Sequence, residues 1–322
     1  MNILITGATG FIGRHLTGAL FKTQSIRCLA RKKSDISVLK DFNVEITYGD
    51  LLVKESLRHA LDGIDLVYHL AGEVYSKKKN DYYRGNVLAT NNLLEACKTK
   101  GIKRLVYMSS VGVYKPAEGK KLLTESSDCE PITFYGKTKL HAEELVKKSN
   151  IPSIIIRAPV VYGPTQPSVL NKFFTDALNK KKAYIIGDGN NLRSLCFVDN
   201  LVEGLKLLGN KPYLDGNTYL LSDNSPYTFN EIIATTSKVI ESEIKIVHLP
   251  TLLGNISWGI YNLMGNLFDL CFVELYAMRT MQLNLGCDIT KAMKEIGYNP
   301  KITLEAGIKH TIEWIKTIYA SA

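Results

Sequence analysis

Three glycines within the first thirteen residues constrain this chain more than any other feature. Asn2-Ile3-Leu4-Ile5-Thr6 reads as a short β-strand and Phe11–Lys22 as a helix, with Gly7-Ala8-Thr9-Gly10 between them and Gly13 in the first helical turn. A strand that turns this sharply into a helix needs Gly7 at the bend. Gly10 leaves the backbone bare for a pyrophosphate, and Gly13 lets the helix press close on the sheet. The helix start offers free N–H groups and the positive end of its dipole to phosphate oxygens. Gly7, Gly10, Phe11, Ile12 and Gly13 are therefore the candidate cradle for a dinucleotide.

The next 150 residues repeat the strand–helix rhythm. Strands are expected at Asn2–Thr6, Ile26–Ala30, Val44–Tyr48, Leu66–Leu70, Arg104–Ser109 and Ser153–Arg157. Most are unbroken apolar runs, the pattern of strands covered on both faces. Helices are expected near Phe11–Lys22, Leu51–Leu61, Asp81–Lys100 and Phe134–Ser149. Alternating βα units imply an α/β fold, a doubly wound parallel Rossmann sheet with right-handed crossovers. The rhythm breaks after Pro159, where Gly163-Pro164-Thr165-Gln166-Pro167 reads as a loop. The expected division is a dinucleotide-binding domain over 1–165, with 191–212 packing back on it, and a smaller C-terminal substrate-binding lobe from 166–190 and 213–322. Thr251–Met281 is rich in Leu, Ile, Phe, Trp and Met, interrupted at helical spacing by Asn255, Asn262, Asn266 and Asp269. It reads as an amphipathic helix or helix pair that packs in the core or covers the substrate, with contact to a membrane surface or a partner helix as the alternatives.

The 322 residues carry 40 Lys plus Arg against 31 Asp plus Glu, a net charge of +9. That balance suits a polyanionic small molecule. The basic residues are scattered, the longest runs being Lys77–Lys79 and Lys180–Lys182, which read as solvated ends and not as a nucleic-acid surface. Six cysteines form no C-x-x-C and no zinc-like cluster with histidine, so reduced thiols and no metal are expected. Histidines 15, 59, 69, 141, 248 and 310 show no ligand pairing and read as structural or solvated. The chain enters its first strand without a basic lead or cleavage site and has no run of about 18 apolar residues. A cytoplasmic protein is the expectation.

Strand two ends in Ala30-Arg31-Lys32-Lys33, without the acid that would bind a ribose hydroxyl. A carboxylate would repel a 2′-phosphate, whereas Arg31 would pair with one, so the reading leans to NADP over NAD. Asp50 and Leu51 follow strand three, where an acid accepts from an adenine amino group. Tyr135 and Lys139 lie four apart at a helix start and share a face. An ammonium beside a phenol favours the phenolate, so Tyr135 is expected to exchange a proton with a substrate oxygen while a nicotinamide exchanges a hydride with its carbon. Ser110, with Ser109 as its rival, ends strand five at the carboxyl edge of the sheet and would hold that oxygen.

Taken together, the chain resembles an extended short-chain dehydrogenase/reductase of the NAD-dependent epimerase/dehydratase group. The resemblance rests on the glycine turn, Gly49-Asp50-Leu51, His69-Leu70-Ala71-Gly72, Asn86-Val87 with Thr90, Ser109-Ser110 with Val113-Tyr114, Tyr135 with Lys139, Arg157 with Tyr162-Gly163-Pro164, and Arg193 with Val198-Asp199. It runs from residue 1 to about 205 and resumes weakly at Asp288–Trp314. It implies that Ser110, Tyr135 and Lys139 are catalytic, and that Leu70, Ala71, Gly72, Asn86 and Pro159 lie along the cofactor. By the same resemblance Tyr114 and Arg193 meet the substrate, Arg193 at a phosphate, and helices 81–100 and 134–150 pair in a homodimer.

Val111-Gly112 stands where the group's dehydratases carry Asp-Glu and its decarboxylases a Glu, which argues against both reactions. Lys115 and Ala89 each replace a usual glycine. The leading expectation is an epimerase or ketoreductase of a nucleotide-sugar. A reductase of an apolar hydroxy or keto compound, of the hydroxysteroid or dihydroflavonol type, comes second, and a non-catalytic dinucleotide sensor third.

Overall fold

The computed structural model describes residues 1–165 and 169–320; Gln166 and Pro167 of the expected loop lie outside them. The strands are β1 (Asn2–Thr6), β2 (Ser25–Ala30), β3 (Glu45–Tyr48), β4 (Leu66–His69), β5 (Arg104–Ser110), β6 (Ser153–Ala158), β7 (Val160–Tyr162), β8 (Lys182–Ile186), β9 (Leu192–Arg193), β10 (Leu195–Phe197), β11 (Thr218–Leu220), β12 (Tyr227–Thr228) and β13 (Lys245–Leu249). The helices are α1 (Phe11–Leu20), α2 (Lys79–Tyr82), α3 (Ala89–Lys100), α4 (Phe134–Lys148), α5 (Val169–Lys180), α6 (Val198–Gly209), α7 (Phe229–Val239), α8 (Thr251–Leu267), α9 (Val273–Thr280), α10 (Thr290–Ile296) and α11 (Leu304–Ala320).

Seven strands form one parallel sheet in the order β11-β6-β5-β4-β1-β2-β3. The strand order reverses between β1 and β4, and at such a switch point the loops leaving the carboxyl ends diverge and open a crevice. The side-chain period of β1 divides the core. Ile3 and Ile5 enter the layer shared with α1 and α6, while Leu4 enters the layer shared with α3 and α4. Continuous apolar runs were the signature of this two-sided burial.

Three local expectations are corrected. Residues 51–61 do not form a helix: only a 3₁₀ turn at Lys54–Leu57 appears. The Ser56 hydroxyl contacts the Asp50 N–H, the Asp50 carbonyl and the Val53 carbonyl, which closes a local turn in place of a helical ladder. Residues 83–88 form a π-helical turn between α2 and α3, not regular α-helix. Thr218–Leu220, assigned from sequence to the smaller lobe, instead pairs with β6 and extends the main sheet. Among the described residues no helix is long and apolar enough to cross a membrane.

Candidate active site

A cleft of about 610 Å³ opens at the switch point. Its floor is the glycine turn. Gly7 holds φ +74°, and a Cβ there would meet the Ala71 backbone nitrogen at 2.7 Å, so β1 and the loop after β4 touch backbone to backbone. A Cβ on Gly13 would collide with the Gly7 carbonyl and lie 2.7 Å from the Ala8 Cα. No side chain caps α1 at Gly10, which leaves its first-turn N–H groups toward the cleft. A bare cradle at an uncapped helix start fits the diphosphate of a dinucleotide.

Gly7, Gly10, Phe11, Ile12, Gly13, Leu70, Gly72, Asn86, Ser110, Tyr114, Tyr135, Lys139, Pro159 and Arg193 all line this cleft. Arg31, Asp50, Leu51 and Ala71 do not. Arg31 is exposed beyond the end of β2. Asp50 spends one carboxylate oxygen on the Leu52 N–H at 2.9 Å. Leu51 packs against the α3–α4 core layer, and Ala71 serves through its backbone against Gly7.

The π-helical turn sets Asn86. Its amide oxygen accepts from the Glu73 N–H at 2.8 Å, and its amide nitrogen donates to the Glu73 carbonyl and the Thr138 hydroxyl, each at 3.0 Å. One side chain thus ties the loop after β4 to α4, which carries Tyr135 and Lys139. Beneath it, His69 sits between the hydroxyls of Thr6 at 2.7 Å and Thr90 at 2.9 Å. Burial lowers its pKa to about 3, so this histidine stays neutral and structural.

Thr133 caps α4 through the Gly136 N–H at 3.0 Å and fixes where Tyr135 emerges. Ser109 and Ser110 point to opposite sides of β5, and their partners separate the two rivals. The Ser109 hydroxyl is buried and donates to Glu143 at 2.5 Å. Both serines border the cleft, but the Ser110 hydroxyl is not tied to a carboxylate and accepts from the Gly112 N–H at 3.1 Å.

Electrostatics correct one expectation. In the protein alone, burial pushes the Tyr135 phenol up to about 12, with only the Ser110 hydroxyl working against it. Lys139 does not bring it down. Burial lowers the Lys139 ammonium itself to about 7, against the Glu143 carboxylate, which raises it. Lys139 Nζ donates to the Met108 carbonyl at 2.5 Å and lies 4.3 Å from the centre of the Tyr107 ring. Desolvation is the largest influence on each of the two groups.

Two residues behind the site were not read as a pair from sequence. Glu143 is fully buried and grips Arg157 through Oε1 to Nε at 2.9 Å and Oε2 to Nη2 at 2.6 Å. The guanidinium stacks 4.6 Å from the centre of the Tyr114 ring, so Tyr114 is buried and shows the cleft only part of itself. The available signal was spacing: Tyr135, Lys139 and Glu143 stand at intervals of four on one helix face.

The opposite wall belongs to α9 and the segment after it. Tyr276, Thr280, Leu283 and Leu285 face the cleft. Arg193 emerges between the walls. Its Nη2 donates to the Thr280 carbonyl at 2.5 Å, its guanidinium lies 5.1 Å from the Phe229 ring centre, and its buried Nε has no hydrogen-bond partner. No described carboxylate pairs with it, so Arg193 is not a surface ion pair. Burial lowers its pKa to about 10, which leaves it charged at neutral pH. Of three further tyrosines near the cleft, Tyr75 faces it, Tyr82 packs behind with its ring 6.2 Å from that of Tyr135, and Tyr83 points away toward His141. Among the described residues no cluster could hold a metal.

Residues 3–221 match the model of the NAD dependent epimerase/dehydratase family, which is more than half the chain. The chain belongs to this family. Within the family it is similar to a Bacillus subtilis (strain 168) protein named an uncharacterized UDP-glucose epimerase, YtcB, at 28% identity over 99% of both chains. It is 27% identical, over 97% of this chain and 95% of the other, to N-acetyl-alpha-D-glucosaminyl-diphospho-ditrans,octacis-undecaprenol 4-epimerase of Escherichia coli O157:H7. The crystal structure of UDP-glucuronic acid 4-epimerase from Bacillus cereus in complex with UDP-glucuronic acid and NAD superposes with a TM-score of 0.81 at 25% identity, covering 99% of this chain and all of that one. The family membership makes the chain an NAD-dependent extended short-chain dehydrogenase/reductase.

Proposed function

We propose that the chain is an epimerase of a diphosphate-linked sugar, most simply a nucleotide-sugar. It inverts one ring carbon by removing and returning a hydride, with Tyr135 as acid and base. The observation that carries the substrate class is Arg193, a charged guanidinium in the cleft wall with an unpartnered Nε and no carboxylate. A planar fork that is already desolvated and partly unpaired suits a phosphate oxygen. Similar proteins named for UDP-glucose, UDP-glucuronic acid and a sugar diphosphate support the same class.

When bound, the nicotinamide supplies the position that takes and returns the hydride. Ser110 holds the substrate oxygen beside the Tyr135 phenol. Tyr135 takes the hydroxyl proton as the hydride leaves and gives it back on return. Lys139 borders the same cleft, and in its ammonium form it would favour the phenolate. Val111 and Gly112 offer no carboxylate for removing a proton from the neighbouring carbon, so the oxidised sugar is returned and not dehydrated. The protein acts in the cytoplasm as a homodimer through α3 and α4.

A second reading rests on Arg31. An exposed cation at the end of β2, with no acid there, suits a 2′-phosphate and favours an NADP-dependent reductase of an apolar ketone. The epimerase reading goes with NAD, which the Bacillus cereus structure holds. Arg193→Ala separates the two. Losing a charge-assisted contact of roughly 1.5–3 kcal/mol should raise the KM for a nucleotide-sugar about 10- to 100-fold. Steady-state kinetics with no change in KM would remove the support for a diphosphate-linked substrate.

A further inference from the structure

α8 is amphipathic in the wrong sense for a helix that faces water. Its buried positions are Gly254, Ser257, Tyr261 and Gly265, small or polar apart from the tyrosine. Its outward positions are Leu252, Ile256, Ile260, Leu263 and Leu267, 43–67% exposed and spaced by four, four, three and four along one face. Phe268 continues the stripe at 59% exposed. None of the 17 residues of α8 is charged. Soluble helices show the reverse arrangement, and a contiguous exposed apolar stripe marks an interaction surface.

Charge next to the stripe indicates the partner. The turn after α8 pairs with residues 77–79: the Lys79 N–H donates to the Asp269 carbonyl at 3.1 Å, and the Cys271 N–H donates to the Lys77 carbonyl at 2.8 Å. This sets Lys77, Lys78 and Lys79 beside the end of the apolar face. Lys77 and Lys78 are exposed, and none of the three makes an ion pair with a described residue. Two of the nearby acids each spend one oxygen locally: Asp269 Oδ1 accepts from the Asn80 N–H at 3.0 Å and Asp81 Oδ2 from the Ser76 hydroxyl at 2.8 Å. Two residues before Lys77, Tyr75 lines the cleft and is itself 44% exposed.

We propose that the outer face of α8, with Lys77 and Lys78 at its end, docks on an anionic lipid bilayer. The apolar stripe enters the boundary between headgroups and acyl chains while the lysines pair with lipid phosphates. The helix lies on the membrane; at 17 residues it does not cross it. Docking sets the cleft mouth at the headgroup layer, because α9, packed against α8 through Tyr261 and Tyr276 at 5.8 Å, forms the far wall. The inference does not depend on the epimerase reading.

The test is sedimentation of the whole protein with vesicles of phosphatidylglycerol and phosphatidylcholine, and with phosphatidylcholine alone. Binding to the anionic vesicles is expected, with loss at high salt. Ile256→Asp/Ile260→Asp should reduce sedimentation to background, and Lys77→Glu/Lys78→Glu should weaken binding by at least roughly fivefold per lysine. Circular dichroism checks that both variants fold. Wild-type protein that ignores both vesicle types overturns the proposal, as does binding indifferent to headgroup charge. A wild-type oligomer that ignores vesicles and is split by Ile256→Asp/Ile260→Asp in light scattering also overturns it, and assigns the face to a second copy.

Discussion

The two walls of the cleft are built by different means. The sheet wall is set by backbone. Gly7 lies against Ala71, Asn86 clamps the Glu73 peptide from both sides, and Ser110 ends a strand whose neighbours are paired on either side. On the far wall the segment at Leu285 is also tied by backbone, its N–H donating to the Leu192 carbonyl at 2.8 Å, but α9 is set by side chains. Trp258 stacks on Tyr261 with ring centres 5.2 Å apart, and Tyr261 packs on Phe134 at 5.2 Å and on Tyr276 at 5.8 Å. A backbone wall tolerates few residue types and so leaves a spaced pattern. A packed aromatic wall accepts many solutions of similar volume and leaves none. On the proposed reading the chemistry belongs to the first wall, and Arg193, between the two, selects a diphosphate-linked substrate.

The sharpest division comes from Tyr135→Phe. Removing the phenolic hydroxyl should lower kcat by about 10²- to 10⁴-fold and leave nucleotide binding and the unfolding midpoint nearly unchanged. Turnover that survives would separate the sheet wall from the chemistry. The support behind that wall is tested by Arg157→Met, which leaves the Glu143 carboxylate buried without its bidentate partner. A loss of roughly 3–5 kcal/mol in urea unfolding is expected. A near-neutral result would mean that Lys147, 4.0 Å away, or water takes over.

The smallest effect is a pH dependence. Lys139 is held near 7 in the folded protein, below the ordinary lysine value. Between pH 7 and about 10 the unfolded chain therefore binds a proton that the folded chain does not, so this residue makes stability rise with pH across that window. Lys139→Met should flatten the rise in urea midpoints measured at pH 7 and pH 9. An unchanged slope would show that Lys139 stays charged when folded.

This contrast explains what the sequence disclosed. The glycine turn, the pairing of Tyr135 with Lys139 on one helix face, and the positions of the first six strands were readable because each depends on spacing that the backbone enforces. Ser109 and Ser110 were not separable, since adjacent strand residues face opposite sides and nothing in Met108-Ser109-Ser110 marks the core side; the buried Glu143 does. The Leu51–Leu61 helix failed because one hydroxyl, that of Ser56, closed a turn that apolar periodicity does not register. Thr218–Leu220 was missed as a sheet strand because three residues carry too little pattern. The lowered phenol pKa was misjudged for a different reason: spacing brings Lys139 near Tyr135 but says nothing of the desolvation both groups undergo.

The central claim is that the hydride taken from the sugar is returned to it within one turnover. An enzyme that works this way has no need to release its nucleotide. The most direct measurement is to denature the freshly purified protein and identify what it releases by chromatography. Stoichiometric NAD is the predicted result, and it would also show that Arg31 points into water. A protein that releases nothing, and that binds and exchanges NADPH, would contradict the claim and make the chain a reductase that consumes one cofactor per turnover.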